Sequence, residues 1–502
     1  MSTTLPPMPL PPVTAPLVTA PLMTAPVLAG GGPLASELDR LVEHGLSQAA
    51  ASTGVALLPL GLEAFMARVG SARAAGRTLD LQYYTWMEDI TGRLLAREAL
   101  RAADRGVRVR LLLDDSYALS GDALLATLAA HARIEVRLFN TRRFRFLGQF
   151  GLALEFALGG WHLNHRMHNK CWVADGKLAI VGGRNIGDNY FDAAGDFNFR
   201  DLDLLIAGEA ANQAQAVFDS YWSSSLACAV EKFRAGRDLS EAALAAVRAR
   251  LDETPAEDKA RPYLRELEQT GVSLNNLPLI RADGAVRVLA DAPAKAKGRG
   301  ITGCMAPAIG EVLMGARREA SIISPYFVPG EGGMAMLEEL VRRGVKVTVV
   351  TNSLAATDVV AVHAGYARYR PRLLDLGVEL YELKRTTKRN GGVFGSKGAS
   401  LHTKALSVDG EQVFVGSFNL DPRSARLNTE MGAFVRHAEL AERLRAEQQR
   451  LTEPDRSYRV WLQRHRMLWT DEDSTSPHEP EAPLGRRILA RVVKWLPVEA
   501  QL

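Results

Sequence analysis

The sequence predicts an α/β fold of two pseudo-symmetric halves, each a mixed, mostly parallel sheet flanked by helices, with one active site at their interface. Three observations lead there. Strand-like apolar runs alternate with helical stretches twice along the chain. The two passages share the wording of their helix-to-strand corners, and each half carries one copy of the same hairpin pattern. With 502 residues, 47% apolar and 24% charged, there is chain enough for several cores. A net charge of only +4 argues against a protein that coats nucleic acid. Three scattered cysteines, Cys171, Cys228 and Cys304, exclude a disulfide framework and a Cys-rich zinc site.

Taken in order, residues 1–36 read as a disordered or extended tail. Val13-Thr-Ala-Pro-Leu17 recurs as Val18-Thr-Ala-Pro-Leu22 and Met23-Thr-Ala-Pro-Val27, and proline at that spacing stops both helix and strand. The tail has neither the positive start nor the unbroken apolar run of an export signal. The first half, 37–236, opens its sheet with Leu79–Tyr84, a helical stretch and the parallel-type strand Val107–Leu113. A helical linker, 237–285, leads to the second half, 286–470, which repeats the order with Ala320–Phe327, a helix and Val345–Val350. The corners Asp104-Arg-Gly-Val107 and Arg342-Arg-Gly-Val345 match.

Residues 471–502 hold an acidic, proline-rich linker and then Leu484–Leu496, a basic amphipathic helix. Leu484, Ile488, Val492 and Trp495 recur on one side, and Arg487, Arg491 and Lys494 line the other. Such a helix suits an anionic headgroup layer, or it packs on its own domain with a solvated basic face. A second apolar stretch, Leu147–Trp161, follows Arg142-Arg-Phe-Arg-Phe146 and is too short to span a bilayer. It fits a membrane interface, a lipid-shaped groove or a core helix.

The sharpest signal is the repeated hairpin. His168-Asn-Lys-Cys-Trp-Val-Ala-Asp-Gly precedes a strand ending in Gly182-Gly-Arg-Asn185, and His402-Thr-Lys-Ala-Leu-Ser-Val-Asp-Gly precedes one ending in Gly416-Ser-Phe-Asn419. Asp-Gly between period-2 strands signals a tight turn, and residues two apart share a face, so His168 pairs with Lys170 and His402 with Lys404. One His-x-Lys would be chance; two in matching contexts, 234 residues apart, are not. A pseudo-dyad would bring all four together, and buried lysines are costly unless they meet anions.

Two lysines with Asn185 and Asn419 make a cradle for a tetrahedral oxyanion such as phosphate. Two histidines across the phosphorus supply a nucleophile and an acid–base group. Asp201 and Glu430, one per half at matching places, are available to orient the rings. No further ligand set for a metal accompanies these pairs, so a phosphohistidine route without metal or cofactor follows. The residues themselves leave open which histidine attacks.

The paired pattern resembles the phospholipase D superfamily. Gly182–Phe191 and Gly416–Glu430 are similar in wording to bacterial C-type cardiolipin synthases, over a span from about Gly54 to the C-terminus. The resemblance implies two phospholipase D-like halves, with His168 as nucleophile and His402 as acid and then base. It places Lys170, Lys404, Asn185 and Asn419 on the phosphoryl oxygens, with Ser417 among the groups that bind substrate. Asp175 and Asp409 belong to the motif in the hairpin turns and read as supports, not reacting groups. Gly183 stands where the second half has Ser417, so the halves are not interchangeable.

The implied function is phosphatidyl transfer. A donor phospholipid, phosphatidylethanolamine or phosphatidylglycerol, passes its phosphatidyl group to phosphatidylglycerol to give cardiolipin. Leu147–Trp161 would keep water from the second step. The rivals are a phospholipase D-type hydrolase, a nucleic acid phosphodiesterase and a non-catalytic lipid-binding scaffold; near-neutral charge and the apolar segments weigh against nucleic acid. The expected partner is a membrane surface, reached peripherally on the cytoplasmic side of the bacterial inner membrane. Tyr83, Tyr84, Tyr326 and Phe327 either flank the cleft or fill the core. His165 and His363 read as structural, Cys171 as a small buried residue. The basic run Lys384-Arg385, Lys388-Arg389 and Lys397 suits headgroups or solvent.

Overall fold

Two mixed sheets with the same strand order carry the molecule. The computed structural model describes residues 35–115, 122–142, 161–233, 240–271, 273–298, 303–385 and 398–494. Residues 1–34 of the tail 1–36, most of the apolar stretch 147–161, Lys388, Arg389, Lys397 and Trp495 lie outside these residues.

In the first half the strands are β1 (Thr53–Leu58), β2 (Thr78–Tyr83), β3 (Arg108–Asp114), β4 (Ile134–Phe139), β5 (Cys171–Ala174) and β6 (Leu178–Gly182). They continue with β7 (Asn198–Arg200), β8 (Asp203–Gly208), β9 (Ala227–Ala229) and β10 (Ile280–Arg281). The second half has β11 (Val286–Ala290), β12 (Glu319–Ile323), β13 (Lys346–Asn352), β14 (Glu379–Leu383), β15 (Ala399–Leu401) and β16 (Ala405–Val408). Then come β17 (Gln412–Gly416), β18 (Met431–Arg436), β19 (Ser457–Gln463), β20 (Arg466–Thr470) and β21 (Thr475–Ser476).

The first sheet runs β10-β1-β8-β6-β5-β2-β3-β4-β9 and the second β11-β18-β17-β16-β12-β13-β14-β19-β20-β21. The shared eight-strand order, β1-β8-β6-β5-β2-β3-β4-β9 against β11-β18-β17-β16-β12-β13-β14-β19, is the duplication seen in the sequence. The α/β class holds, but the expectation of mostly parallel sheets does not. Within these two sheets only β2-β3-β4 and β12-β13-β14 pair in parallel, each step joined by a crossover that carries the chain back to the same end of the sheet. The motif hairpins turn tightly, and they and their neighbours pair antiparallel. The strand at Ala320–Phe327 stops at Ile323, two residues short of Pro325.

Both sheets belong to one unit, Ser36–Leu502. Each has an outer core under its helices, such as Phe65, Leu95 and Leu111 in the first half and Ile309, Leu337 and Val349 in the second. A third core lies between the halves, where Val55, Val173 and Ile206 join Val288, Val413 and Val435. Its apolar seam fixes how the two motif hairpins face one another. Cys171 is fully buried within it, with burial pushing its thiol pKa upward.

Candidate active site

Both hairpins turn on Asp-Gly with the backbone in the left-handed region at each residue: φ is 53° and 66° at Asp175 and Gly176, and 55° and 71° at Asp409 and Gly410. That is the geometry Asp-Gly favours. The Asp175 carboxylate accepts from the amides of Gly76, Arg77 and Thr78 at 2.7–2.9 Å and from the Ser36 hydroxyl at 2.9 Å. Asp409 accepts from the amides of Arg317, Arg318 and Glu319. Each aspartate thus ties its hairpin turn to the start of the adjoining strand, β2 or β12.

The chain leading into β5 presents His168 and Lys170, and that leading into β16 presents His402 and Lys404; all four are buried. Short parallel ladders between the halves set their positions. The His168 amide donates to the Thr429 carbonyl at 2.9 Å, so Glu430 comes next in line. In the other ladder β15 pairs with β7 and the His402 amide donates to Arg200 O at 2.7 Å, which brings Asp201 next in line. Each histidine therefore meets the carboxylate of the opposite half. His168 Nδ1 lies 3.0 and 2.9 Å from the two Glu430 oxygens, and His402 Nδ1 lies 2.6 Å from Asp201 Oδ2. With Nδ1–H held by a carboxylate, Nε2 of each ring is left as the lone-pair nitrogen.

Burial holds His168 down at about 4, with Glu430 opposing and Lys170 adding to the shift. Burial also takes His402 well below its usual value, with Lys404 and Lys170 pushing the same way. Lys404 falls to about 8 and Lys170 well below the normal lysine range, both through burial. The two carboxylates differ. Burial raises Asp201, whereas Glu430 stays below its usual range because His168, Lys170 and the Ser417 hydroxyl outweigh its burial. Both ammonium groups donate to the carbonyl of the neighbouring histidine, Lys170 to His168 O at 2.8 Å and Lys404 to His402 O at 2.5 Å. A pocket of neutral imidazoles and destabilised cations favours an incoming anion.

Ser417, expected among the groups that bind substrate, stands behind the site. It is fully buried, and its hydroxyl donates to Glu430 Oε2 at 2.5 Å while accepting from the Met431 amide at 3.0 Å. Its counterpart Gly183 is a matched exchange. A Cβ there would sit 2.1 Å from Asp201 Oδ1, so the shorter Asp201 side chain fits only against glycine, while the longer Glu430 leaves room for Ser417. Asn185 is buried beside the pocket, accepting from the Thr85 amide at 3.2 Å and donating to the Tyr190 hydroxyl at 3.0 Å. Asn419 is buried with no hydrogen-bond partner at Oδ1.

The sequence reading missed two aromatic residues. Tyr190 and Phe199 pack on the His402 ring at centroid distances of 5.3 and 4.9 Å. Tyr190 is five residues beyond Asn185 in the motif's own tail and Phe199 two before Asp201, so proximity to the motifs was the available signal. Of the four strand-end aromatics, Tyr84 stands 5.3 Å from His168 and flanks the site. Tyr83 and Phe327 are core residues, and the Tyr326 hydroxyl donates to Asp358 at 2.8 Å. His165 and His363 donate from Nδ1 to the carbonyls of Leu427 and Asn352. No group of three or more His, Cys, Asp or Glu side chains placed to hold a metal ion occurs among the described residues.

Residues 69–222 and 309–452 match the family described as cardiolipin synthase, PLD-like domain, one match per half. Cardiolipin synthase C of Escherichia coli (strain K12) is 42% identical over 470 residues, covering 90% of this chain and 97% of the relative. A cardiolipin synthase of Geobacillus kaustophilus (strain HTA426) is 29% identical over 417 residues, covering 82% and 68%. The crystal structure of phosphatidylserine synthase from Haemophilus influenzae Rd KW20 shares the fold, with a TM-score of 0.58 at 14% identity over 92% of this chain and 100% of that one.

Proposed function

The chain belongs to the cardiolipin synthase, PLD-like domain family of phospholipase D-like enzymes, and from that premise we propose that it is a phosphatidyltransferase that makes cardiolipin through a phosphohistidine. The observation that carries the reading is the crossed pairing of two buried histidines with Glu430 and Asp201 beside two buried lysines. In this reading Lys170, Lys404, Asn185 and Asn419 hold the phosphoryl oxygens of a donor phospholipid. The arriving phosphodiester anion offsets the lysine charges and raises both histidine pKa values, which lets His402 take up a proton.

His168 Nε2 then attacks phosphorus, and the bond to the headgroup oxygen breaks as His402 Nε2–H protonates that oxygen. The headgroup leaves as an alcohol, not as an alkoxide. His168 becomes a phosphoimidazolium whose Nδ1–H faces Glu430, the carboxylate that the site keeps anionic. This difference between Glu430 and Asp201 supports His168 as the nucleophile. The neutral His402 next removes the proton from a hydroxyl of phosphatidylglycerol. That oxygen attacks phosphorus, the P–N bond breaks, and both histidines return to their starting forms. The donor is phosphatidylethanolamine or a second phosphatidylglycerol.

We also place the enzyme peripherally on the cytoplasmic side of the bacterial inner membrane; no helix among the described residues is long and apolar enough to cross a membrane. Mass spectrometry of lipids after incubation with mixed phosphatidylglycerol and phosphatidylethanolamine vesicles tests the reading, with His402→Ala as control. Cardiolipin and free headgroup alcohol, absent with His402→Ala, are expected. Phosphatidic acid without cardiolipin would make the protein a hydrolase.

A further inference from the structure

The helix Leu484–Lys494 leaves an apolar face in solvent. Among the described residues eight large hydrophobic side chains are exposed, and four are on this one helix: Leu484, Ile488, Leu489 and Val492, at 72%, 52%, 49% and 55%. At 100° per residue, Leu484, Ile488 and Val492 fall within roughly 80° of arc, and the exposed Arg491 and Lys494 lie in the adjoining sector. Other residues of the helix dock it. Ala490 packs on Leu354 and Ala355, Arg486 donates to Thr357 O, Arg487 donates to Glu479 O at 2.7 Å, and Arg368 of the helix Val360–Asp375 holds Lys494 O. The helix is thus fastened to the protein by one side while its apolar side, bordered by the exposed cations Arg491 and Lys494, faces outward.

Its position ties this face to the active site. Thr357, which Arg486 grips, precedes Asp358, and the Asp358 carboxylate accepts from Tyr326 and acts electrostatically on both His402 and Lys404. Val359, next in the same loop, is itself 38% exposed. Apolar side chains beside a basic strip match a headgroup layer with acyl chains beneath it and anionic charge at its surface.

We propose that this helix is the docking surface of the enzyme on an anionic phospholipid bilayer, and that it seats the protein with the Asp358 side of the active site against the membrane. The choice of partner rests on the phospholipid reading of the site; the exposed face itself does not. The apolar side chains enter the acyl boundary, while Arg491 and Lys494 meet lipid phosphates. Attachment is therefore weakened by salt and by loss of anionic lipid.

The full chain is tested by flotation with vesicles of phosphatidylcholine alone and of phosphatidylcholine mixed with phosphatidylglycerol. Wild type is compared with Ile488→Ser/Val492→Ser and with Arg491→Glu/Lys494→Glu, and turnover is measured in parallel on phosphatidylglycerol and phosphatidylethanolamine dispersed together in detergent. The expected result is salt-sensitive binding to the anionic vesicles, weakened about tenfold or more in either variant. Turnover of the dispersed lipid should stay at the wild-type level, because none of the four residues touches the site. Equal binding by Ile488→Ser/Val492→Ser and wild type, or wild-type binding indifferent to phosphatidylglycerol, overturns the proposal. If the dispersed lipid is not turned over by any of the three proteins while binding still depends on the helix, the docking surface stands and the catalytic reading falls.

Discussion

Replacing Glu430 by Gln keeps the side chain's size and removes one negative charge from a fully buried position. Its two oxygens lie 3.0 and 2.9 Å from His168 Nδ1, and one also accepts from Ser417. A hydrogen bond to a charged group contributes about 1.5–3 kcal/mol, or ~10–100-fold in rate if it is strongest when His168 is cationic. A second loss adds to this. The glutamine amide can donate to Nδ1, which favours the tautomer with the proton on Nε2, the attacking atom. Together these give a fall in kcat of about 10³-fold with little change in KM. Ser417→Ala removes only a neutral partner from a carboxylate that remains, and should cost about fivefold. The assay is cardiolipin formation in mixed vesicles, followed by mass spectrometry. Glu430→Gln within threefold of wild type, or no worse than Ser417→Ala, would refute the argument that the carboxylate charge supports the intermediate.

Three further outcomes are expected. Gly183→Ser, which copies the second half's residue into the first, drives a Cβ against Asp201 and should lower kcat about 10²-fold; Gly183→Ser/Asp201→Glu should recover at least part of it, and no recovery would mean the two positions are not a matched pair. Asp175→Asn confronts the amides of Gly76, Arg77 and Thr78 with a side chain that has lost one acceptor, so stability should fall by about 2 kcal/mol in denaturant titration while kcat per folded molecule is kept; a large fall in kcat would make it a reacting group. His168 is held at about 4 against an unfolded value near 6.5, so the unfolded chain binds the extra proton as pH falls. Stability linked to this residue is complete above pH ~6.5 and lost on the way down to about 4, amounting to about 3 kcal/mol. The drop in Tm between pH 7 and pH 5 should therefore be smaller in His168→Gln than in wild type, and an equal drop would contradict the neutral, buried assignment.

The motif and its duplication were legible in the sequence because they are local: spacing around an Asp-Gly turn is fixed by strand period and turn type within a few residues. Sheet direction was misjudged for the converse reason. Helical stretches between strands predict parallel pairing, but the hairpins on the other side of β2 and β12 contribute the larger share of each sheet. The crossing of His168 to Glu430 and of His402 to Asp201 joins residues 262 and 201 apart, and it depends on ladders between the halves that no pattern in either half announces. Ser417 shows the same limit. Its place beside Asn419 in the motif suggested a ligand, whereas its hydroxyl turns inward to a carboxylate thirteen residues on. Tyr190 and Phe199 reach His402 only once the halves have met.

The measurement that bears most directly on the shared site is identification of the covalent intermediate. Enzyme mixed with phospholipid vesicles is quenched in denaturant at neutral to mildly basic pH, which spares both the P–N bond and the acyl esters, then digested and examined by mass spectrometry. A phosphatidyl group on the peptide carrying His168, absent from His168→Gln and diminished in Glu430→Gln, is the predicted result. The same group on the His402 peptide, or cardiolipin formed with neither peptide modified, would contradict it.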